Sequence, residues 1–325
     1  MAGPDNPNAG TLPARPLLPG FYQVIPMGKD ALQLRSAGRV VRLAGPGVGD
    51  FGPRLMHALD GRRGLAAVVE QLELEPEPVA DLVAQLRAQG VVSDAGDAGP
   101  GADAVVAGEL YALLGARPDA VQAALSAASV TFIGVGPVAT LAARHLASTG
   151  VGTIESIGVA DDRPLSAVVA GCDLVIVEVD ERRDRAKQAG RACEEARVAA
   201  LFHSVTTLRA AVGPLVLPGT PGCLECVELR RLSHLRHYDE DVAYQQWLDT
   251  SGTSNEPSLF SGFASVVAGL LSVEALKKLG GFLPPVTVRG LLTADIATSV
   301  VRREQLLPVP GCPGCDVDMR VQAGR

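Results

Sequence analysis

The stretch Ser129-Val130-Thr131-Phe132-Ile133-Gly134-Val135-Gly136-Pro137-Val138-Ala139 decides the fold of the larger part of this chain. Its first five residues have the composition of a buried strand, and a helical pattern continues from Pro137 to about Thr149. The G-x-G-x-x-A motif between them supplies a tight turn, room for a pyrophosphate and close helix–strand packing. This context predicts a Rossmann-like α/β unit. Nucleotide binding stays open, because a fold can keep these glycines for packing alone.

The strand that follows the glycine motif lacks the residue that a nucleotide site requires. A ribose-binding unit carries Asp or Glu at the end of this strand, Thr153 to Ile157. Gly158 stands there instead, and Asp161 and Asp162 follow in a predicted loop. The next predicted strand, Asp173 to Val179, begins so soon afterwards that the gap admits only one short turn of helix.

Two C-x-x-C pairs are the clearest chemical signal in the sequence. Cys223 and Cys226 follow one Pro/Gly-rich turn, and Cys312 and Cys315 lie on a second. Four thiolates complete a tetrahedral structural zinc site and leave no open position for catalysis. We therefore expect one structural Zn²⁺ per chain. The alternatives are two separate reduced pairs or disulfides.

Composition divides the chain into four segments. Residues 1–20 form a Pro/Gly/Asn tail that we expect to be disordered, and residues 95–102 form a linker of small residues. Between them, residues 21–94 contain three short strand patterns followed by three helical ones, which predicts a winged-helix-like unit. Residues 103–325 carry the longer α/β pattern.

The winged-helix-like unit has two unlike uses. Duplex DNA binding is disfavoured, because Lys29 and seven arginines are outnumbered by nine acidic residues. Peptide capture by strand addition needs an exposed edge strand and an adjacent groove. The strand Arg39-Val40-Val41-Arg42-Leu43 supplies the edge, and the third helix supplies Val79, Leu82, Val83 and Leu86. The alternative is that this unit merely packs on the larger one.

Bulk composition excludes several classes of protein. The 325 residues are 47% hydrophobic and carry a net charge of −7, a balance opposite to that of nucleic-acid binders. The most apolar stretch, Phe260 to Val273, is too short to span a bilayer, and the first residues lack the pattern of a signal peptide. Six cysteines are too few for a disulfide scaffold. We expect no membrane or nucleic-acid partner and a cytoplasmic location.

Several motifs in residues 129–315 resemble the ThiF/MoeB-like fold of ubiquitin-activating-type enzymes. They are the strand followed by Gly134-x-Gly136-x-x-Ala139, Leu146-x-x-x-Gly150-Val151-Gly152, Asp173-Leu174-Val175-Ile176-x-x-x-Asp180, and the two C-x-x-C pairs. Residues 21–94 resemble the PqqD-like peptide clamp called the RiPP recognition element, through Leu59-Asp60-Gly61 and Leu86-Arg87-x-x-Gly90-Val91-Val92.

The two modules in this order look like the ThiF-like, leader-peptide-binding partner of YcaO cyclodehydratases. Such systems make thiazoline and oxazoline heterocycles in ribosomal peptides, thiopeptides included. The resemblance implies a leader peptide as ligand, a separate ATP-using YcaO enzyme as partner, and a homodimer formed through the second module.

Departures from the family pattern bear on catalysis. Active adenylating members carry an Asp after strand two, then an Arg/Asn-rich segment and a Lys, which together hold ATP. This chain has Gly158 at the Asp position and lacks the cationic segment, although Asp180 matches the metal–nucleotide Asp. The resemblance thus implies a non-catalytic scaffold without ATP, with Gly134, Gly136, Ala139 and Asp180 as a vestigial nucleotide site. The alternatives are an enzyme that adenylates a peptide carboxylate and, third, a DNA-binding regulator.

Overall fold

The computed structural model describes residues 12–36, 39–95, 102–158, 161–180, 182–251 and 259–315. Contacts divide the chain into two compact units, with the division between Ala124 and Leu125. Composition placed the division earlier, at residues 95–102, of which 96–101 lie outside the described residues. The helices α4 (Ala102–Leu113) and α5 (Pro118–Ala127) precede or cross the division.

The first unit contains the predicted three strands and three helices. The antiparallel sheet has the order β2 (Gln23–Pro26), β3 (Ala31–Arg35), β4 (Val40–Ala44). The helices are α1 (Val48–Ala58), α2 (Leu65–Leu72) and α3 (Pro76–Ala88). Apolar residues at helical spacing bury one face of each helix against the sheet, in a core that contains Leu32, Leu34, Leu55, Val68 and Val83.

The expectation of a disordered tail is wrong for residues 12–20. Within them β1 (Pro16–Leu17) pairs antiparallel with β5 (Ser93–Asp94), and Leu18 is buried in the core of the unit. The N–H of Leu18 donates to the carbonyl of Leu59 over 2.7 Å. This long-range pairing stabilises a Pro-rich segment that has no regular pattern of its own. Residues 1–11 lie outside the described residues.

The second unit is built on a mixed sheet of seven strands. Its order is β12 (Val300–Gln305), β11 (Gly290–Asp295), β10 (Arg209–Val216), β9 (Ala199–Val205), β8 (Leu174–Glu178), β6 (Ser129–Ile133), β7 (Thr153–Ile157). The strands β7, β6, β8 and β9 run parallel, and the remaining pairs are antiparallel. Because β6 pairs with both β7 and β8, the strand order reverses at β6, where α/β sheets form their binding crevices.

Helices cover both faces of this sheet. The helices are α6 (Pro137–Ser148), α7 (Leu165–Val169), α8 (Arg183–Ala196), α9 (Leu224–Ser233), α10 (Tyr238–Ser251) and α11 (Ser261–Gly280). On one face, α7 and α8 enclose Val175, Val177 and Phe202. Side chains alternate along a strand, so Leu174, Ile176 and Glu178 project from the opposite face. The predicted single turn of helix before β8 is present as α7. No helix in the described ranges combines the length and apolarity needed to cross a membrane.

Candidate functional site

The backbone of β4 is open along its outer edge. Ser36 N–H donates to Arg39 O, and Gly45 N–H donates to Asp30 O, which fixes the alternation of hydrogen-bonded pairs between β3 and β4. In an antiparallel pair, the residues between these bonded positions turn their N–H and C=O groups away from the partner strand. Val40, Arg42 and Ala44 therefore direct their backbone groups outward. Among the described residues, β4 pairs with β3 alone.

The opposite edge of the same sheet offers fewer donors. Met27 N–H donates to Ala31 O, so the outward positions of β2 are Val24 and Pro26. Proline has no N–H, and its presence on an edge strand blocks pairing with an incoming strand. Of the two edges of this sheet, as far as the described residues show, β4 is the one with an uninterrupted series of donors and acceptors. The predicted edge, Arg39–Leu43, thus lies where the sheet can accept another strand.

The side chains of β4 alternate between solvent and core. Val40 and Arg42 are exposed, Val41 is buried in the core cluster, and Leu43 packs against that cluster. A strand added to β4 would alternate in the same way, with every second side chain on the helical face of the sheet.

The residues predicted on α3 differ in exposure. Val79, Val83 and Leu86 are almost wholly buried in the core. Their side chains support the sheet and the helix, so they back a groove without lining it. Leu82 is partly buried and packs against the same cluster. It is the predicted α3 residue best placed to contact a ligand.

The four predicted cysteines converge in the second unit. The sulfur atoms of Cys223, Cys226, Cys312 and Cys315 all lie within 4.8 Å of one another. The Cys223–Cys312 and Cys226–Cys315 sulfur distances are 3.6 and 3.4 Å. With Zn–S bonds of about 2.3 Å, a tetrahedral site places its sulfurs about 3.8 Å apart. The donor set and its spacing fit a zinc ion.

Backbone groups around the cysteines complete this centre. Val309 N–H donates to Cys226 Sγ, and Gly222 N–H donates to Cys315 Sγ. A Cβ on Gly314 would lie 2.9 Å from Cys223 Sγ, so only glycine leaves room for the sulfur. The close approach of Gly314 to the Cys223 sulfur explains why this turn contains glycine.

Burial makes it unfavourable to ionise the thiols of this cluster unless a cation is bound. Burial raises the pKa of Cys223 well above its ordinary value, and the other three sulfurs add to the rise. Burial likewise raises the pKa of Cys312, to about 11. Burial alone would also raise the pKa of Cys315, but hydrogen bonds from the Gly222 and Cys223 backbone lower it. A bound divalent cation would offset the cost of ionising these thiols.

The glycine loop contains a side chain of the protein itself. Gly134 adopts φ +125° between β6 and α6, a conformation that favours glycine. Gly136 N–H, at the N-terminus of α6, donates to Glu178 Oε2 over 3.0 Å. A Cβ on Gly134 would lie 2.5 Å from the Glu178 Cβ, and one on Gly136 would overlap the carboxylate. The carboxylate thus fills the cradle that the glycines form, and Ala139 is buried in the first turn of α6.

Two further positions bear on the predicted nucleotide site. Gly158 follows β7 and offers no carboxylate to a ribose. Asp180, beyond the end of β8, accepts a hydrogen bond from Val205 N–H. Burial raises the pKa of Asp180 to about 6, although this hydrogen bond and the charge of Arg183 act in the opposite direction.

A histidine that the sequence did not single out lies beside Glu178. His203 on β9 is the register partner of Glu178 on β8, so both side chains project from the same face. His203 is 1% exposed, and in the described part of the chain neither ring nitrogen has a hydrogen-bond partner. Burial lowers its pKa to about 4, so the imidazole is neutral at pH 7.

Comparison with known proteins gives matches in structure. No protein-family model matches the sequence, and no curated protein matches it. E. coli MccB bound to MccA superposes with a TM-score of 0.56 at 15% identity, over 92% of this chain and 99% of MccB. The microcin C7 biosynthetic enzyme MccB in complex with N-formylated MccA gives 0.59 at 14%, with the same coverage. The fold resembles that of MccB.

A heterocyclase in complex with substrate and cofactor also matches. Its TM-score is 0.67 at 18% identity, over 92% of this chain but only 39% of the heterocyclase. At these identities the likeness concerns the fold, and it confirms the ThiF/MoeB-like architecture that the motifs in residues 129–315 resemble. The assignment of residues 21–94 to the PqqD-like clamp stays a prediction.

Proposed function

We propose that this chain is a non-catalytic scaffold that binds the leader of a ribosomal precursor peptide and presents the core to a separate YcaO-type cyclodehydratase. That partner would use ATP to form thiazoline or oxazoline rings. The first unit would hold the leader. Tethering keeps a flexible core at high effective concentration near the partner's active site, so the partner need not bind each core sequence tightly.

The observation that carries this proposal is the open edge of β4. Three successive outward positions, Val40, Arg42 and Ala44, offer donors and acceptors that an extended peptide would satisfy. Arg42 is exposed there and supplies positive charge for an acidic leader. Peptide side chains opposite Val41 and Leu43 would lie on the helical face of the sheet, where Leu82 can contribute an apolar contact.

The second unit supports a role without adenylation. Gly158 replaces the ribose-binding acid, and Asp180 accepts a backbone hydrogen bond from β9. Activation of a carboxylate by ATP depends on several charges acting together on the phosphates. A single buried carboxylate, whose pKa is raised to about 6, cannot supply that set.

The structural neighbours agree with peptide modification as the setting. One is a heterocyclase solved with its substrate, and the present chain matches 39% of that protein.

A proline scan of the two sheet edges tests leader binding. The probe is a fluorescein-labelled leader peptide of a ribosomal precursor, measured by fluorescence polarisation with the full chain. Arg42→Pro removes an outward N–H from β4 and should weaken binding about tenfold or more. Val24→Pro removes the matched outward N–H from β2 and should leave binding unchanged. Equal affinities for both variants and the wild type would remove the basis for strand addition at β4.

The alternative function is ATP-dependent adenylation of a peptide carboxylate. It is favoured by the shared fold, since E. coli MccB has also been solved with ATP, at 15% identity to this chain. Exchange of labelled pyrophosphate into ATP by the purified protein and precursor, abolished by Asp180→Ala, would establish this alternative. Our proposal requires exchange at background level.

Two assembly features belong to the same proposal. The cysteine cluster holds Zn²⁺ as a structural ion that joins the turn before α9 to the segment after β12.

Val266, Leu270 and Val273 lie on one face of α11, and Val266 and Val273 are about half exposed. We assign this face to a homodimer contact. Val266→Asp should convert a dimer to a monomer in light scattering, whereas a wild-type monomer would contradict the assignment.

A further inference from the structure

We infer that Glu178 is a built-in anion that excludes nucleotide phosphates from the glycine loop, and that removing its side chain restores anion binding there. The inference rests on the proposed function only in that the second unit performs no adenylation. It concerns how phosphate binding at the glycine loop is blocked. It predicts that a variant without the Glu178 side chain gains phosphate binding. The absence of catalytic residues alone would not predict such a gain.

Geometry places the carboxylate where a phosphate would lie. The loop lies at the strand-order reversal, between the carboxyl ends of β6 and β8, and the N-terminus of a twelve-residue helix points into it. Helix N-termini bind anions through free N–H groups and the helix dipole. Here the N–H of Gly136 already donates to Glu178 Oε2. The carboxylate and a phosphate cannot share this donor, because both are negative and need the same space.

The Glu178 side chain occupies the space between the glycines in addition to accepting the Gly136 N–H. The space that a Cβ would take on Gly134 or Gly136 is occupied by Glu178 atoms. The glycines thus keep the shape of a phosphate cradle and hold a side chain from the adjacent strand. A glutamine at position 178 would fill the same volume without the charge, whereas an alanine would empty it.

A second polar group projects from the same face of the sheet as Glu178. His203, beside Glu178 in parallel register, is buried, and neither ring nitrogen has a hydrogen-bond partner in the described residues. A neutral imidazole can donate one N–H to a phosphate oxygen. This face of the sheet therefore has hydrogen-bonding capacity next to Glu178 that the described hydrogen bonds leave unused.

Titration of the full-length protein with inorganic pyrophosphate tests the inference. The wild type and Glu178→Gln should show no binding by calorimetry and no thermal shift, because the side chain still fills the cradle. Glu178→Ala should bind pyrophosphate with a Kd at least about tenfold below the weakest binding that the titration detects, since a donor to a charged group is freed. Adding Gly136→Ala to the Glu178→Ala variant should abolish the gain, because the new methyl group occupies the cradle.

Folding and function are monitored separately. Zinc content and circular dichroism report whether Glu178→Ala is folded, and Glu178→Ser is the second opening variant if alanine is not tolerated. A folded opening variant that ignores pyrophosphate overturns the inference, as does a wild type that binds it equally well. Leader binding in the first unit should be the same in all variants. If the wild type does not bind the leader, that result counts against the proposed function and not against the role of Glu178.

Discussion

Replacing Asp180 with asparagine should stabilise the second unit at neutral pH. Asparagine keeps the size of the side chain and an oxygen that accepts the Val205 N–H, but it cannot ionise. Burial raises the pKa of Asp180 to about 6, so the ionised form is held at a cost in the folded protein. The substitution removes that cost and keeps the hydrogen bond.

The size of the effect follows from the pKa difference. The ordinary pKa of this carboxyl group is 3.8, and each unit of difference is worth about 1.36 kcal/mol. A folded-state pKa of about 6 therefore corresponds to an upper limit of about 3 kcal/mol. The folded state holds the proton more tightly than the unfolded chain. The stability that Asp180 contributes is thus complete below its ordinary pKa of 3.8 and is lost as pH rises through about 6.

Urea denaturation, followed by circular dichroism from about pH 4 to about pH 8, measures this difference through the transition of the second unit. The advantage of Asp180→Asn should be largest above pH 7 and should vanish near pH 4. Asp161→Asn is the control, because hydrogen bonds from Arg163 lower the pKa of that carboxyl group. It should bring no gain at neutral pH. Equal stability of Asp180→Asn and the wild type across the whole range would refute the burial argument.

Three further predictions concern the metal, the peptide edge and the buried histidine. Cys312→Ser should reduce bound zinc from one per chain to none in elemental analysis and lower stability by several kcal/mol or more, whereas Cys193→Ser should leave the metal in place. Arg42→Glu should weaken leader binding by about 1 to 2 kcal/mol in fluorescence polarisation, an effect that shrinks as salt rises, and Arg54→Glu on α1 serves as the exposed control. Because burial lowers the pKa of His203 to about 4, the contribution of His203 to stability should fall as pH drops from the ordinary imidazole pKa of 6.5 toward 4, and His203→Leu should remove this component in urea denaturation.

Local signals were sufficient for the centre of the second unit. The predicted strand at 129–133 coincides with β6, a buried apolar run that ends at a glycine turn, and the predicted strand at 153–157 coincides with β7, which follows a glycine turn and is mostly exposed. The cysteine cluster was predictable for a similar reason. A pair spaced C-x-x-C aims two sulfurs at one point, and only two such pairs exist in the chain.

Long-range pairing was not predictable from pattern. The Pro-rich residues before Phe21 carry no strand signal, yet Pro16 and Leu17 pair with Asp94 and Ser93 across the whole first unit. The division of the chain after Ala124 likewise depends on contacts that composition does not encode. A linker of small residues indicates where a chain can bend, but the packing of the following helices decides which unit they join.

Glu178 shows how the register of a sheet adds chemistry that a motif search cannot supply. The motif Asp173-Leu174-Val175-Ile176-x-x-x-Asp180 treats position 178 as unspecified, and in sequence the residue is the end of a buried strand. Parallel pairing of β6 with β8 places Ile133 beside Val177, so the next residue of β8 adjoins the first glycine of the loop. In such a sheet, the last residue of the strand before G-x-G pairs with a residue on the neighbouring strand. We expect an acidic side chain immediately after that pairing residue to occupy the space between the glycines.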